Sequence, residues 1–333
     1  MSSTVNESRE SVPASGMAEL VIEPQWVIES DAVERVLGDY YGADVAGADL
    51  TPPADPTELR GLLRQGAPQL GALTDQMRAL FDSGACGVMI PRLGLAHLST
   101  DQRRKSVFAL AVLLGNVTET EPDNHRVIWD VKAAPEQERQ FSKFSQAPDE
   151  AQYHTDSTIV PIPERFFLLY AVTQADCGGG LSILRDGRQV MDTLQQSQAG
   201  RAAVDTLRQT PLPIRIPRAF RRKYGATATD GYSYVPVFAD KPMWRWRKDK
   251  IENGLVKHPD AETPGVRQAL DTVAEQLADT TNEVRQVLST DAIVVIDNHV
   301  AFHGRTAFTD TKRHLLRIRF HDASENLEQS WIS

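Results

Sequence analysis

The sequence predicts a mainly β domain with flanking helices, of the all-β sandwich or jelly-roll type. From about residue 124 onward, short apolar runs of strand length alternate with turn residues, as in such folds. Before that point, apolar residues recur at helical spacing. No repeat, heptad run or change in composition marks a domain boundary, so residues 21–333 are predicted to form a single domain.

The N-terminal region is predicted to be a short tail followed by helices. Residues 1–20 are polar and contain no apolar stretch of signal-peptide length, so we expect a disordered tail and a cytoplasmic protein. Helices are expected within residues 26–71, and one of them begins where Asp55 precedes Pro56 and Glu58.

The remaining elements follow from apolar runs and helix-start signals. Gly87–Pro91 reads as a short buried strand, and a helix begins at Ser99. Strands are predicted over Val127–Val131, Phe166–Val172, Leu181–Leu184, Ile293–Ile296 and Leu315–Phe320, and a helix over Pro264–Thr280. Residues 187–254 show no clear period and are predicted to be an insert with a helix and an irregular, lid-like part, within a core spanning about 85–325.

Composition and charge exclude several classes of protein. A net charge of −9 argues against general nucleic-acid binding, which requires a basic face. The apolar runs are far shorter than the roughly 18 residues of a membrane helix. Two cysteines outside any C-x-x-C pair argue against a disulfide scaffold and a structural zinc site. Neither a nucleic acid nor a membrane is therefore expected as a partner, and the oligomeric state stays open.

The residues His154 and Asp156 form the first candidate metal motif. If this segment is extended, the two side chains point to the same face, because they are two residues apart. One imidazole and one carboxylate supply two of the three ligands of a 2-His-1-carboxylate iron site. A histidine followed two residues later by an aspartate is common by chance, so the prediction needs a second histidine from elsewhere in the chain.

His303 is the candidate for that third ligand. It follows the apolar run Ile293–Ile296 and a polar turn. Arg313 and Arg317 lie downstream on either side of an apolar pair, and a buried arginine requires a carboxylate partner, which a bound acid can provide. His299 and His314 are the nearest alternatives; His299 is predicted to be structural, and His314 to point away from Arg313.

These motifs together resemble the taurine dioxygenase and clavaminate synthase-like (TauD/TfdA) family of iron(II)- and 2-oxoglutarate-dependent oxygenases. The matching pieces are Tyr153–Asp156, Cys177–Ser182, Asp297–Arg305 and the pair Arg313 and Arg317, in the family's order and at long spacings. The resemblance implies a double-stranded β-helix core, that is, a jelly-roll or cupin-like core.

The resemblance also implies roles for individual residues. His154, Asp156 and His303 would bind Fe(II), and Arg313 the distal carboxylate of 2-oxoglutarate. Ser182 would contact the same cosubstrate, and Arg317 would lie near the substrate and cosubstrate carboxylates. Arg317 stays open as the main 2-oxoglutarate anchor, because the spacing from His303 to Arg313 is short for the family.

The implied reaction is hydroxylation of an unactivated C–H bond in a small amino-acid-like or other acidic metabolite, as in secondary metabolism and antibiotic biosynthesis. Dioxygen would be the cosubstrate, and succinate and carbon dioxide would be released. An aspartate at position 156 argues against halogenation, for which the family has a small residue there. The alternatives are desaturation, epoxidation or ring formation with the same cofactors, and a non-catalytic jelly-roll binding protein. A carrier-bound amino acid stays open as substrate.

Polar contacts to the substrate are also predicted, from residues near the motif and in the insert. The candidates are Asp130, Gln146, Gln152, Ser157 and Arg245. The segments before His154 and in the insert would set selectivity, because loops around a rigid core carry most recognition.

Overall fold

The computed structural model describes residues 13–120, 125–133, 148–160, 162–216, 231–239 and 243–325. Within these ranges the α-helices are α1 Ser30–Tyr41, α2 Pro56–Gly66, α3 Pro68–Asp82, α4 Thr100–Leu114, α5 Gly187–Gln196, α6 Gln198–Gln209, α7 Lys248–Lys257 and α8 Pro264–Ala278. The strands are β1 Met17–Glu19, β2 Gly87–Ile90, β3 Gly115–Val117, β4 Trp129–Lys132, β5 Ala151–His154, β6 Phe166–Thr173, β7 Ser182–Asp186, β8 Leu212–Arg215, β9 Tyr232–Val235, β10 Val284–Gln286, β11 Ile293–Asp297, β12 Ala301–Arg305 and β13 His314–Asp322.

The strands form two main sheets and a separate pair. The major sheet has the order β1-β2-β11-β6-β13-β3, and β4 pairs with the first half of β13. The minor sheet has the order β10-β7-β12-β5, and β8 pairs with β9. Apart from the parallel pair β1 and β2, the pairs in the main sheets are antiparallel. Two facing, largely antiparallel sheets confirm the predicted jelly-roll class.

The continuous apolar runs of the core strands arise because both faces of the major sheet are buried. In β11, Ile293 and Val295 pack against helices α1–α4, whereas Val294 and Ile296 face the space between the two sheets. A strand covered on both faces loses the alternation of apolar and polar residues. A third cluster packs α5, α6 and α8 on the outer side of the minor sheet, through side chains such as Phe302.

Helix starts follow their sequence signals. Asp55 caps α2 by accepting hydrogen bonds from the backbone N–H groups of Thr57 and Glu58. Ser99 and Gln102 form a reciprocal capping box at the start of α4. No helix in the described ranges combines the length and apolarity required to cross a membrane.

Two predictions about the chain's organisation need correction. The predicted disordered tail of residues 1–20 is too long, since Met17–Glu19 forms β1 and pairs with Gly87–Met89. The strand is held by backbone hydrogen bonds to β2, and the amino-acid composition of the tail gives no sign of such bonds. The region 187–254 contains α5, α6, α7 and the β8–β9 pair, which is more regular structure than the one helix expected.

Candidate metal centre

The two histidines of the candidate centre face each other across neighbouring strands. His154 ends β5, and His303 lies at the middle of β12, in direct register with it. Paired residues of an antiparallel sheet point to the same face. Here that face is the inner one, because Leu184 opposite His303 packs between the sheets. The centroids of the two imidazole rings are 4.2 Å apart.

Asp156 lies beyond the end of β5, so sheet pairing alone does not hold it. Its backbone N–H donates to the side-chain oxygen of Asn298 at 2.7 Å, and the Asn298 amide donates to the Asp156 carbonyl oxygen at 3.3 Å. Asn298 also donates to the carbonyl oxygen of Glu164 at 3.0 Å. The turn residue Asn298 thus fixes the loop that carries the carboxylate.

Thr155 anchors the motif on its other side. Its buried hydroxyl donates to the carbonyl oxygen of Trp244 at 3.1 Å and accepts from the backbone N–H of Trp246 at 3.0 Å. The aromatic run of the insert therefore packs behind the metal motif as part of its support.

The three predicted ligands come together. Donor atoms of His154, Asp156 and His303 all lie within 4.8 Å of one another. The Nε2 atom of His154 is 3.9 Å from Oδ1 of Asp156. The Nδ1 atom of His154 is 2.8 Å from the Gln152 carbonyl oxygen, to which it can donate, and this tautomer places the lone pair on Nε2.

The electrostatics of the centre favour the protonation states that a metal ion requires. Burial lowers the pKa of His154 to about 4, and Arg247 adds to the effect. Burial, with His154 nearby, lowers the pKa of His303 well below its ordinary value. Burial would raise the pKa of Asp156, but Arg317 and the two histidines outweigh it and hold this pKa well below its usual range. At neutral pH the imidazoles are therefore neutral and the carboxylate is ionised.

The residues fit a divalent iron ion. Two imidazole nitrogens and one carboxylate oxygen on one side are the donor set of mononuclear non-haem iron sites. The Nδ1 atom of His303 is buried and, among the described residues, has no hydrogen-bond partner. A buried ring nitrogen in that condition is costly unless a ligand satisfies it.

Arg313 and Arg317 differ in their contacts. Arg317 lies in β13 and donates to Oδ2 of Asp156 at 3.3 Å. Arg313 precedes β13, is 5% exposed and has no hydrogen bond or ion pair to any residue in the described ranges. Its guanidinium carbon is 5.2 Å from the centroid of the Phe308 ring. Burial, with Arg305 nearby, lowers the pKa of Arg313 to about 10, which still leaves it charged at neutral pH.

Ser182 begins β7 and is paired in register with Arg305 of β12. It lies two residues before Leu184 and therefore on the same inner face as His303. A cavity of about 30 Å³ between the sheets is lined by both Ser182 and His303, together with apolar residues such as Phe167 and Leu184. Ser182 and His303 therefore border the same space between the sheets.

The other predicted polar residues lie in varied places. Asp130 is engaged by Arg104 at 2.7 Å and His314 at 2.6 Å. Ser157 accepts from Arg319 at 2.6 Å, next to the centre. Arg245 is buried in the insert, whereas Gln146 lies outside the described residues.

The alternative histidines do not join the centre. The Nε2 atom of His299 lies 2.9 Å from the carbonyl oxygen of Pro163, and His314 contacts Asp130 on the far side of the major sheet from Arg313. Asn298 lies in the polar turn before His303, and nothing in the local sequence indicates a role at the centre. Its amide can support the metal motif because the fold brings it to Asp156 from 142 residues away.

Comparisons with known proteins place this geometry in a family. The model of the family "Taurine catabolism dioxygenase TauD, TfdA family" matches residues 67–319. A search of the curated proteins gives no match. The fold is similar to that of an asparagine oxygenase solved with Fe(II), 2S,3S-3-hydroxyasparagine and succinate, at 17% identity and a TM-score of 0.64 over 92% of this chain and 93% of the other.

The fold is also similar to that of the non-heme iron oxygenase OrfP, in several of its solved structures. Its complex with Fe and alpha-ketoglutaric acid matches at 15% identity and a TM-score of 0.63, over 94% of this chain and 96% of that one. Another OrfP structure holds (3S)-hydroxy-L-Arg and matches at 16% identity and a TM-score of 0.62. Because the family model covers most of the sequence, the chain belongs to the TauD/TfdA family of iron(II)- and 2-oxoglutarate-dependent dioxygenases.

Proposed function

We propose that this enzyme hydroxylates an amino acid at an unactivated C–H bond, with Fe(II), 2-oxoglutarate and dioxygen, and releases succinate and carbon dioxide. The observation that carries the proposal is the convergence of His154, Asp156 and His303 on the inner face of the minor sheet. When bound there, iron and 2-oxoglutarate would supply the oxidising power, and the protein would supply placement and exclusion of water.

In this proposal the three ligands hold Fe(II), and each has a support that orients it. The Gln152 carbonyl oxygen fixes the tautomer of His154, and β12 carries His303 into register with it. Asn298 fixes the backbone of Asp156, and Arg317 contacts its carboxylate. Such supporting contacts set ligand orientation and metal affinity.

We assign the distal carboxylate of 2-oxoglutarate to Arg313 rather than Arg317. Arg317 already donates to Asp156, whereas Arg313 is buried and has no acceptor among the described residues. A buried guanidinium without a carboxylate is unfavourable, and a bound dicarboxylate would satisfy it with two parallel hydrogen bonds. Ser182, which lies on the inner face of the minor sheet with His303, is the proposed second contact to 2-oxoglutarate.

An amino-acid substrate fits the charges around the centre. Arg317 donates to Asp156, and Arg319, whose charge also acts on Asp156, pairs with Glu164 at 3.5 Å. Charges of both signs therefore lie next to the centre, and we propose that they accommodate a molecule with both a carboxylate and an ammonium group. Two of the similar structures hold hydroxylated amino acids, and we propose a free amino acid as the substrate.

We also propose that the enzyme works in the cytoplasm. Cys86 is buried and Cys177 is exposed, and both are free thiols, which suits a reducing compartment. Cell fractionation with an antibody to the chain would test the location; recovery outside the cytoplasmic fraction would contradict it.

The first experiment is anaerobic absorption spectroscopy. The metal-free protein is titrated with Fe(II) and then with 2-oxoglutarate. We expect a weak visible charge-transfer band that requires both additions, is lost in His154→Ala and is weakened in Arg313→Ala. A folded, iron-loaded wild type without the band would contradict the proposed site.

The substrate is then sought by succinate release with free amino acids and with carrier-bound amino acids. We expect turnover with a free amino acid and a product heavier by one oxygen atom. Loss of two hydrogens instead would indicate desaturation, and activity only on carrier-bound substrates would contradict the proposal of a free substrate.

A further inference from the structure

The guanidinium of Arg313 lies over an aromatic ring, and no described residue accepts a hydrogen bond from it. Phe308, itself 5% exposed, offers its ring at 5.2 Å from the guanidinium carbon. On the Gly180 side, a Cβ added to the glycine would come within 3.4 Å of both Cδ and Nε of Arg313. Phe308 and Gly180 therefore both lie next to the Arg313 side chain, while no group in the described ranges accepts a hydrogen bond from its guanidinium.

Phe308 and Gly180 together form what we call the seat of Arg313. The glycine run Gly178–Gly180 allows these two residues to approach each other. Gly180 has a φ of +71°, which favours glycine, and its N–H donates to the carbonyl oxygen of Ala307 at 3.1 Å. A Cβ on Gly179 would overlap the Ala307 carbonyl oxygen and approach Cα of Phe308. Only glycines allow the turn after β6 to lie this close to the segment that carries Phe308.

The ring of Phe308 is itself fixed. Its backbone N–H donates to the carbonyl oxygen of Pro148 at 3.0 Å. The guanidinium carbon of Arg305 lies 4.6 Å from the same ring, and Arg305 Nη2 donates to the carbonyl oxygen of Asp149 at 2.6 Å. Two buried cations share one aromatic ring, so the site carries concentrated positive charge.

This arrangement suits a residue that must offer its donors to a ligand. A guanidinium presents its N–H groups in its plane, whereas an aromatic ring attracts the cation through the face. Contact of Arg313 with the Phe308 ring uses none of the N–H groups and leaves them for a carboxylate. Hydrogen bonds to protein carbonyl groups would compete with that ligand for the same N–H groups.

We propose that Phe308 and Gly180 are positioning residues for Arg313, so that the affinity for 2-oxoglutarate depends on an aromatic ring at position 308. The proposal rests on the proposed function, in which Arg313 binds the distal carboxylate of the cosubstrate. It also gives the Gly178–Gly180 turn a purpose, since Gly180 leaves room for the Cδ and Nε atoms of Arg313.

The test is calorimetric binding of 2-oxoglutarate to the Mn(II)-loaded protein, with the metal affinity measured separately. Phe308→Leu is expected to weaken the binding of 2-oxoglutarate about tenfold, whereas the affinity of Phe308→Tyr should stay within about threefold of wild type. Mn(II) affinity should not change in either variant. In turnover, Phe308→Leu should raise the KM for 2-oxoglutarate with little change in kcat.

The matched control is Phe166→Leu. Phe166 is 6% exposed, and the guanidinium carbon of Arg165 lies 4.7 Å from its ring, outside the proposed cosubstrate site. It should leave 2-oxoglutarate affinity unchanged. Phe308→Met, which keeps volume without an aromatic face, serves if Phe308→Leu does not fold.

The outcomes separate this proposal from the one on which it rests. If Arg313→Ala does not weaken 2-oxoglutarate, the anchor assignment is wrong, and the seat has no function. If Arg313→Ala weakens binding but Phe308→Leu and Phe308→Met do not, the anchor stands and the seat is refuted. Equal weakening by Phe308→Tyr and Phe308→Leu would also refute it.

Discussion

Asp156 is held at the metal centre by residues far from it in the sequence. Asn298 bonds to both its backbone groups, and Arg317 donates to its carboxylate. The strand that positions His154 ends before Asp156, so these contacts take the place of sheet pairing. The position of the carboxylate therefore depends on Asn298, which holds the backbone of Asp156, and on Arg317, which contacts its side chain.

Asn298→Ala is expected to weaken metal binding. The change removes two hydrogen bonds to Asp156 and one to Glu164, and leaves buried backbone groups without partners. Loss of such supporting contacts typically lowers metal affinity by about 10- to 100-fold, and a buried unsatisfied group costs about 1–3 kcal/mol of stability. Metal titration and urea unfolding of the same preparation measure both effects.

Asn116→Ala is the control for that variant. Asn116 is also buried and accepts from Arg60 at 2.9 Å, outside the metal centre. It should lose stability but keep metal affinity. A similar loss of affinity in both variants would mean that Asn298 acts only through general stability.

At this scale the sequence could predict candidate ligands that the fold brings together, but not the residues that support them. His154, Asp156 and His303 are identifiable as candidates because ligand chemistry restricts the residue types and the motifs have a recognisable order. Asn298 was readable only as a turn residue, since its partners lie 134 and 142 residues away. Such distant contacts leave no local pattern.

At the scale of elements, the close approach of β12 to its neighbours sets the distance between the two histidines. A Cβ on Gly304, the residue after His303, would overlap the Ala151 carbonyl oxygen of β5 and lie 3.0 Å from Ile183 of β7. The register of the pair β5 and β12 also shifts between His303 and Arg305. Glycine thus lets β5 and β12 stay together at the irregularity beside the centre.

Gly304→Ala is expected to push β5 and β12 apart. Overpacking of this kind costs about 1–3 kcal/mol, and separation of His154 from His303 should weaken metal binding as well. Thermal unfolding and metal titration measure the two effects. Gly61→Ala is the control, because it lies within α2 with open space around it and should stabilise by up to about 1 kcal/mol. Unchanged metal affinity in Gly304→Ala would show that the spacing is not critical.

The sequence predicts some elements better than others for a physical reason. Strands such as β6 and β11 are covered on both faces, and burial leaves continuous apolar runs in the sequence. By contrast, β1 has only three residues and lies at the edge of the sheet. It is held by backbone hydrogen bonds, which require no particular side chains, so its sequence shows no strand pattern. In the insert, one residue separates α5 from α6. The apolar residues of the two helices therefore form no single helical period, and the sequence does not show where one helix ends and the next begins.

For the whole molecule, buried neutral histidines make the metal-free fold sensitive to acid. Burial lowers the pKa of His154 to about 4, and also lowers the pKa of His303 and His299. In the unfolded chain these groups bind protons near pH 6.5. Between about pH 6.5 and pH 4 the unfolded state therefore binds more protons than the folded state, so stability falls as the pH falls.

We expect the free energy of unfolding of the metal-free protein to decrease below pH 6.5, by up to about 1.4 kcal/mol per pH unit for each such histidine. The depressed pKa of Asp156 acts in the same direction but only at lower pH, where that carboxylate protonates. Urea unfolding with chelator at pH 7.5, 6 and 5 measures the slope. A double variant, His154→Gln with His303→Gln, should have a shallower slope; an equal slope would contradict the assignment.

Ligand binding should connect the two sheets. The proposed metal ligands lie on or next to the minor sheet, whereas Arg313 and Arg317 come from β13 and its approach in the major sheet. Bound metal stabilises the native state by about 2.7 kcal/mol at a concentration 100 times its Kd. For a chain of 333 residues we expect a rise of several degrees in the thermal midpoint with Mn(II), reversed by chelator and absent in His303→Ala.

A bound 2-oxoglutarate would then extend from the metal on one sheet to Arg313 beside the other. We therefore expect it to raise the midpoint further only when the metal is present, and by less in Arg313→Ala. This dependence arises because the metal supplies one end of the ligand's contacts and the arginine supplies the other. An equal rise without metal would mean that 2-oxoglutarate binds away from the centre, and the two sheets would then not be joined through it.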